Sequence, residues 1–268
     1  MSHKYIYCQL SIIGIIFVAI NTKHKKKIME IKNFNYVQSQ EEANTLSKTF
    51  MSSVFSWMFA ALAITSIVAF YFGNSSELIS YLINPEVGGL TALGYGVIFS
   101  PFAFVLIMTF GMNRISYPVL LFLFLLFAAV MGMSLSFIFL TYTAGSIFST
   151  FIAASAMFGV MSVVGYTTNT DLTKFGSIMM MGLVGIVIAS LINMFMHSGT
   201  MEYIISFVGV LVFTGLTAYD VQKLKNIGAG VEFGTAATSK LVIMGALNLY
   251  MDFINLFIML LRLFGDKK

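Results

Sequence analysis

Seven apolar runs constrain this chain more than any other feature of it. They cover residues of roughly 52–72, 88–110, 117–141, 146–166, 175–196, 203–222 and 241–264. About 20 residues of helix cross the hydrocarbon core of a bilayer. The runs are too long for the strands of a transmembrane barrel and lack their alternation of apolar and polar residues. In lipid a segment must satisfy its own backbone hydrogen bonds, which leaves the α-helix. Composition agrees: charged residues make up 10% of the chain and hydrophobic residues 58%, with a mean hydropathy of +0.90. A soluble domain carries about 25% charged residues. The sequence therefore specifies an all-α integral membrane protein, a bundle of seven transmembrane helices.

The connections are short and rich in Gly, Asn, Ser and Thr, as at Gly73-Asn74-Ser75-Ser76 and Thr167-Thr168-Asn169-Thr170. Pro101 and Pro118 are expected near the starts of their spans, where proline does least damage. Gly182, Gly185, Gly209 and Gly215 offer close helix packing, the main source of association where lipid supplies no hydrophobic drive. Residues 51–268 form the membrane domain, preceded by a tail over residues 1–50. Within that tail, residues 9–20 are apolar but short for a span. The basic cluster Lys23-His24-Lys25-Lys26-Lys27 follows them, whereas a secretory signal carries its charge in front. Residues 1–28 read as an accessory leader with Met29 as an alternative start, or as an eighth helix dipping into the membrane. The single Cys8 excludes an internal disulfide.

Positive charge orients the bundle. With the N-terminus in the cytoplasm, 12 Lys and Arg residues fall inside, among them Arg114, Lys174, Lys223, Lys225 and Lys240. Three fall outside: Arg262, Lys267 and Lys268. The split favours a cytoplasmic N-terminus and an outer C-terminus. The net charge of +4 is thereby explained by topology, and nucleic acid is not expected as a partner.

A charged side chain at the centre of a span costs about 2.5–3.5 kcal/mol on insertion scales, so it needs a reason. Asp252 lies in the middle of the last run. Gly245, Asn248, Asp252 and Asn255 recur at helical spacing and form one polar stripe. Asp220 ends the sixth run, one turn after Thr217 on the same face. The plain reading is a structural hydrogen bond for Asp252 and an interfacial position for Asp220. The sharper one is a carboxylate pair between adjacent helices. Two carboxylates in a low-dielectric site cannot both ionise cheaply, so they share a proton. Ionised, with Asn and backbone oxygens nearby, they also suit a hard cation such as Ca²⁺. The boundaries create a tension, because Asp252 lies about 16 Å into the bilayer and Asp220 only a few Å. Contact requires the sixth helix to continue past Lys223, with Lys223 and Lys225 snorkelling, or the seventh to start deeper. Arg114, at the inner end of the second connection, is either a positive-inside marker or a latch for a carboxylate. His197 reads as solvated. The glycines at 228, 230 and 234 are not followed by the Lys-Ser/Thr of a phosphate loop.

Three stretches carry a family resemblance: Tyr-Thr-Thr-Asn-Thr-Asp-Leu-Thr-Lys-Phe-Gly over 166–176, Thr-Ala-Tyr-Asp-Val-Gln-Lys-Leu-Lys over 217–225, and Gly-Ala-Leu-Asn-Leu-Tyr-Met-Asp-Phe-Ile-Asn-Leu-Phe-Ile-Met-Leu-Leu-Arg-Leu-Phe-Gly over 245–265. Over about residues 45–265 the chain resembles the Bax inhibitor-1, or transmembrane Bax inhibitor motif, family in its bacterial YccA-like branch. The resemblance implies a last helix that is central and wrapped by the other six, in a bacterial inner (plasma) membrane. It implies a pH-sensitive calcium leak governed by two aspartates, matching Asp220 and Asp252, with a latch arginine matching Arg114. Asn248, Asn255 and Thr217 would support that site. Its expected partners are the lipid bilayer, Ca²⁺ and protons, with no tightly bound cofactor and no enzymatic activity. A second reading is a non-channel regulator of a membrane protease, with residues 23–50 as the contact. A third, an intramembrane aspartyl protease, lacks the Gly-x-Gly-Asp context at its second aspartate and any proline after Pro118.

Overall fold

The structure, a computed structural model, describes residues 40–84, 89–232 and 234–268, with the side chains of residues 40–43 excepted. The leader, Met29 and the lysines up to Lys32 lie outside the described residues, as does Glu86.

Seven described helices are long and apolar enough to span a membrane. In chain order the elements are α1 (Gln40–Asn74), α2 (Ser76–Ser80), β1 (Ile83–Asn84), β2 (Gly89–Leu90), α3 (Ala92–Gly111), α4 (Tyr117–Leu135), α5 (Ile138–Thr141), α6 (Ala144–Thr167), α7 (Thr173–Met196), α8 (Gly199–Ala229) and α9 (Ala236–Phe264). The all-α expectation holds but for one small addition. Between the first two spans, β1 and β2 pair antiparallel, with Ile83 opposite Leu90 and Asn84 opposite Gly89. The Ser and Thr residues of the connections act as caps. The side chains of Ser75, Thr91, Thr143, Ser198 and Thr235 accept hydrogen bonds from the first-turn N–H groups of α2, α3, α6, α8 and α9. Each relieves an orphan donor at a helix start.

Two sequence expectations shift. Pro118 sits in the first turn of α4, as expected. Pro101 does not begin a helix but lies in the middle of α3, because that helix starts at Ala92 and is already capped by Thr91. The sixth and seventh helices also exceed their apolar runs. Polar residues at the C-terminal end of α8 and the N-terminal end of α9 continue the helices because they remain packed: Leu224 and Gly228 are buried on α8, and Thr238 and Val242 on α9.

Burial separates α9 from the rest. In its apolar stretch 94% of the residues are buried, against 22% for α6 and 28% for α7. Its principal neighbours are α8, α1, α6 and α4, while α3 packs chiefly on α4 and α7 chiefly on α8. Aromatic edges join α6 to α9, with Phe151 against Phe253 and Phe257 and Phe158 against Phe253. A buried polar knot joins three helices: the Thr65 hydroxyl lies 2.8 Å from the Ala128 carbonyl oxygen and 2.8 Å from the Tyr250 hydroxyl. Large apolar side chains such as Phe59, Phe122, Phe148, Met181 and Phe195 point outward, as a lipid-facing surface requires.

At the C-terminal end the chain folds back on the bundle. The backbone N–H of Thr143 bonds the Asp266 carbonyl and that of Lys268 bonds the Thr141 carbonyl. Arg262, counted above among the outer loop charges, is instead buried in the last turn of α9. Beside it Tyr142, in the link between α5 and α6, is held in its neutral form. Burial pushes its phenol up to about 12, against an opposing pull from Arg262 and with a smaller push from Glu202. A raised phenol favours the folded state up to the ordinary tyrosine range, and that advantage is lost as pH rises through about 12. The Y142F protein should therefore lack one late step in the tyrosinate absorbance titration and unfold less readily than wild type near that pH.

Glycine contacts make the packing testable. A Cβ on Gly165 would collide with the backbone of Ala218, whereas one on Gly185 or Gly159 would meet nothing. The close-packing expectation thus holds for Gly182, Gly209 and Gly215 but not for Gly185. G165A should cost ~1–3 kcal/mol by forcing α6 off α8. G185A should be neutral or slightly stabilising. Thermal unfolding of the detergent-solubilised proteins checks both.

Candidate functional site

The polar stripe of the last span is buried along its whole length. Asp252 and Asn255 are fully buried, and Asn248 is 4% exposed. Asp220 on α8 and Thr217 one turn before it are fully buried as well. Thr217 donates its hydroxyl to the Phe213 carbonyl on its own helix, at 2.8 Å. A loop position for Asp220 is excluded, because α8 runs nine residues beyond it to Ala229. The sixth helix thus continues past Lys223, one of the two arrangements that contact between the aspartates requires.

Helix geometry brings the two carboxyl groups together. On the antiparallel pair α8 and α9, Gly245 receives Leu224 and Gly209 receives Met259. This register sets Asp220 level with Leu249, and Asp252 lies three residues further along α9. The Cα–Cβ bond of every helical residue tilts toward its own N-terminus. On antiparallel helices the two tilts are opposed, so Asp220 and Asp252 lean toward each other across the remaining turn. Their carboxyl groups lie within hydrogen-bonding reach of one another. Among the described residues no N–H or hydroxyl donates to any of their four oxygens. The Oδ1 of Asn248 and both amide atoms of Asn255 are likewise without a hydrogen bond. Buried polar atoms without partners are rare in folded proteins and mark places where water, an ion or a proton is to be accommodated.

The cation beside the pair is not Arg114. Arg114 is exposed in the turn between α3 and α4, and among the described residues no ion pair joins it to Asp220 or Asp252. The charge that acts on both carboxylates is that of Lys223, one turn after Asp220 on α8. Sequence reasoning treated Lys223 as a snorkelling side chain. The signal that would have found it is its i, i+3 spacing from Asp220. His197 is exposed, as expected, and closes α7 in the left-handed conformation.

A clamp holds the C-terminal half of α8 in place. Gln222 donates from Nε2 to the Thr170 carbonyl at 2.7 Å and accepts from the Leu172 N–H at 2.8 Å. The Lys225 ammonium donates to the Tyr166 carbonyl at 2.8 Å, and the Ser47 hydroxyl of α1 donates to the Lys225 carbonyl at 2.9 Å. Gly176 leaves room for the ring of Tyr219. Two of the motif stretches noted in the sequence, 166–176 and 217–225, are thus one structural unit. Q222L should take the partner from the Thr170 carbonyl and the half-buried Leu172 N–H, at about 1 kcal/mol each. It is expected to lower the thermal midpoint and to speed hydrogen exchange over residues 168–173.

Comparison with known proteins bears on the whole bundle. Residues 47–268 match the family model described as inhibitor of apoptosis-promoting Bax1. The chain is 43% identical to the inner membrane protein YbhL of Escherichia coli over 222 residues, covering 82% of this chain and 93% of that protein. It is 41% identical to a protein of Borreliella burgdorferi, covering 86% and 97% of the two chains. It is 38% identical to one of Rickettsia prowazekii, covering 82% and 91%.

Proposed function

This chain belongs to the Bax inhibitor-1 family of membrane proteins, and from that premise we propose that it is a pH-sensitive calcium leak governed by Asp220 and Asp252. It is a multi-pass protein of the bacterial inner membrane, with seven spanning helices and an inner-membrane relative in Escherichia coli. We read α9 as the axis of the bundle, the N-terminus as cytoplasmic and the C-terminus as external. The observation that carries the proposal is the meeting of two fully buried carboxyl groups that take no hydrogen bond from any other described residue.

Two facing carboxyl groups without a donor are compatible only when they share a proton or hold a cation between them. The protonated pair binds α8 to α9 through its shared hydrogen bond and favours the closed bundle. Loss of the proton leaves two like charges in a medium where repulsion is strong, and the helices part. A divalent ion then finds two carboxylates and the Asn248 and Asn255 oxygens along its path. Ca²⁺ at a resident site takes 6–8 oxygen ligands. Among the described residues no cluster of three or more His, Cys, Asp or Glu exists, so the ligand set suits passage of the ion rather than storage. The latch role that the resemblance gives to Arg114 requires a bundle rearranged from this one.

The test is calcium flux into dye-loaded proteoliposomes at pH 6 and pH 8. Wild type is expected to leak more at the higher pH. D252N removes the charge that forces the helices apart and is expected to lose most of the leak and its pH dependence. Equal flux in wild type and D252N at both pH values would refute a carboxylate-gated leak. Such a result would favour a regulator that acts by binding another membrane protein.

A further inference from the structure

Between α8 and α9, about one helical turn from Asp220 and Asp252, lies a small hollow. Lys223, Leu224, Gly245 and Asn248 line it, together with Met244. Gly245 contributes no side chain, and the Leu224 and Val54 side chains close over it as the hollow's apolar wall. At its floor the Asn248 Oδ1 is buried without a hydrogen bond. At its rim stands the half-buried Lys223, whose charge acts on both Asp220 and Asp252. Its ammonium lies 5.8 Å from the centroid of the Tyr219 ring, a second favourable position for a cation.

The other charged groups of this end are engaged elsewhere or face solvent. Lys225 donates to the Tyr166 carbonyl and Lys240 to the Met112 carbonyl, at 2.8 and 3.3 Å. Lys48 of α1, Arg114 before α4 and Lys174 at the start of α7 are exposed. Asp171, from the link before α7, is exposed and acts on Tyr219.

We propose that Lys223 is a tethered counter-ion of the Asp220–Asp252 pair, and that a divalent cation approaching through the α8–α9 hollow must displace it. The proposal rests on the carboxylate-pair reading above and adds to it a built-in competitor. A lysine suits this role because its ammonium is a compact point charge on a flexible four-carbon stem. It can swing between the carboxylates and the Tyr219 ring without any movement of the helix. Lys223 is thus a positioning residue, setting how much cation is needed to occupy the pair.

The experiment uses full-length protein in detergent and in proteoliposomes, at a fixed pH of 8 and constant ionic strength. Binding of ⁴⁵Ca²⁺ is followed by equilibrium dialysis, and the half-saturating calcium concentration of the leak is measured in parallel. K223M removes a unit charge one helical turn from Asp220, and calcium binding is expected to tighten about tenfold or more. K223R, which keeps the charge, is expected to stay within about twofold of wild type by the same argument. K223Q guards against a folding defect in K223M, and the thermal midpoints of all variants are recorded. Unchanged or weaker binding in both neutral variants, or tightening in K223R equal to that in K223M, would overturn the proposal. The dialysis arm separates this failure from that of the leak. Tighter binding without any flux would sustain Lys223 as counter-ion and sink the leak. A leak that depends on Asp252 with unaltered calcium dependence in K223M would do the reverse. No calcium binding in any variant would overturn the counter-ion role outright.

Discussion

The register between α8 and α9 is the constraint on which the rest of the structure depends. A helix places residues about 100° apart around its axis, so a slip of a single residue would turn Asp252 off the face that meets Asp220. No hydrophobic drive holds such a register in lipid, and packing must do it. The means are visible at two points about four turns apart: Leu224 seats on Gly245, and Met259 seats on Gly209. Each pairs a long side chain with a position that has none, and the two together fix both sliding and rotation. Gly165 against the Ala218 backbone does the same for α6 from the far side of α8. The carboxyl groups meet because glycines elsewhere leave the helices no other fit.

Polar groups inside this bundle fall into two sets with different physical consequences. Thr65, Tyr250 and Gln222 are satisfied by partners on other helices or loops. Each such bond fixes one element against another, as fully paired polar networks do. Asn248, Asp252 and Asn255 lie on one face of α9, and with Asp220 they contain buried atoms that take no hydrogen bond. Leaving these groups in an apolar interior costs several kcal/mol in total, a cost that no contribution to stability explains. The satisfied set braces the molecule at its middle and at the C-terminal end of α8. Asp220, Asn248, Asp252 and Asn255 lie together between the braces where α9 faces α8, while the unsatisfied atoms of Thr109, Ser162 and Ser190 are single and scattered over other helices.

The length of the apolar runs made the seven-helix bundle legible in the sequence, because hydropathy over 20 residues reports a collective property. Boundaries were less so. The C-terminal end of α8, Asp220 to Ala229, carries two lysines and a glutamine, and hydropathy alone ends the helix there. What extends it is tertiary: Gln222 and Lys225 are held by Thr170, Leu172 and Tyr166, some 50 residues away. The stripe of Gly245, Asn248, Asp252 and Asn255 was legible from spacing, since one helix carries it. Its meeting with Asp220 was not, for that depends on the mutual register of two helices. Arg114 stands out in the sequence as an arginine near a span end, yet it lies exposed in a turn of this structure. Lys223 had the better position and the less distinctive residue type.

The clamp and the pair sit on the same helix, and this has a mechanical consequence for the proposed gate. Gln222 follows Asp220 by two residues and points to the opposite side of α8, toward the 168–172 link. Repulsion between ionised carboxylates pushes on one side of α8 while the clamp holds the other. Next to the pair α8 cannot translate freely without breaking the two Gln222 hydrogen bonds and the Lys225 contact. The N-terminal half of α8 lies beyond the clamp. It meets α9 through a glycine and a methionine, Gly209 and Met259, and methionine tolerates rearrangement better than other core residues. On the proposed reading, the energy of the ionised pair is released by tilting the N-terminal half of α8 about a fixed C-terminal end. The hollow with Lys223 then keeps its shape in both states, and the selectivity set there is independent of how far the bundle opens.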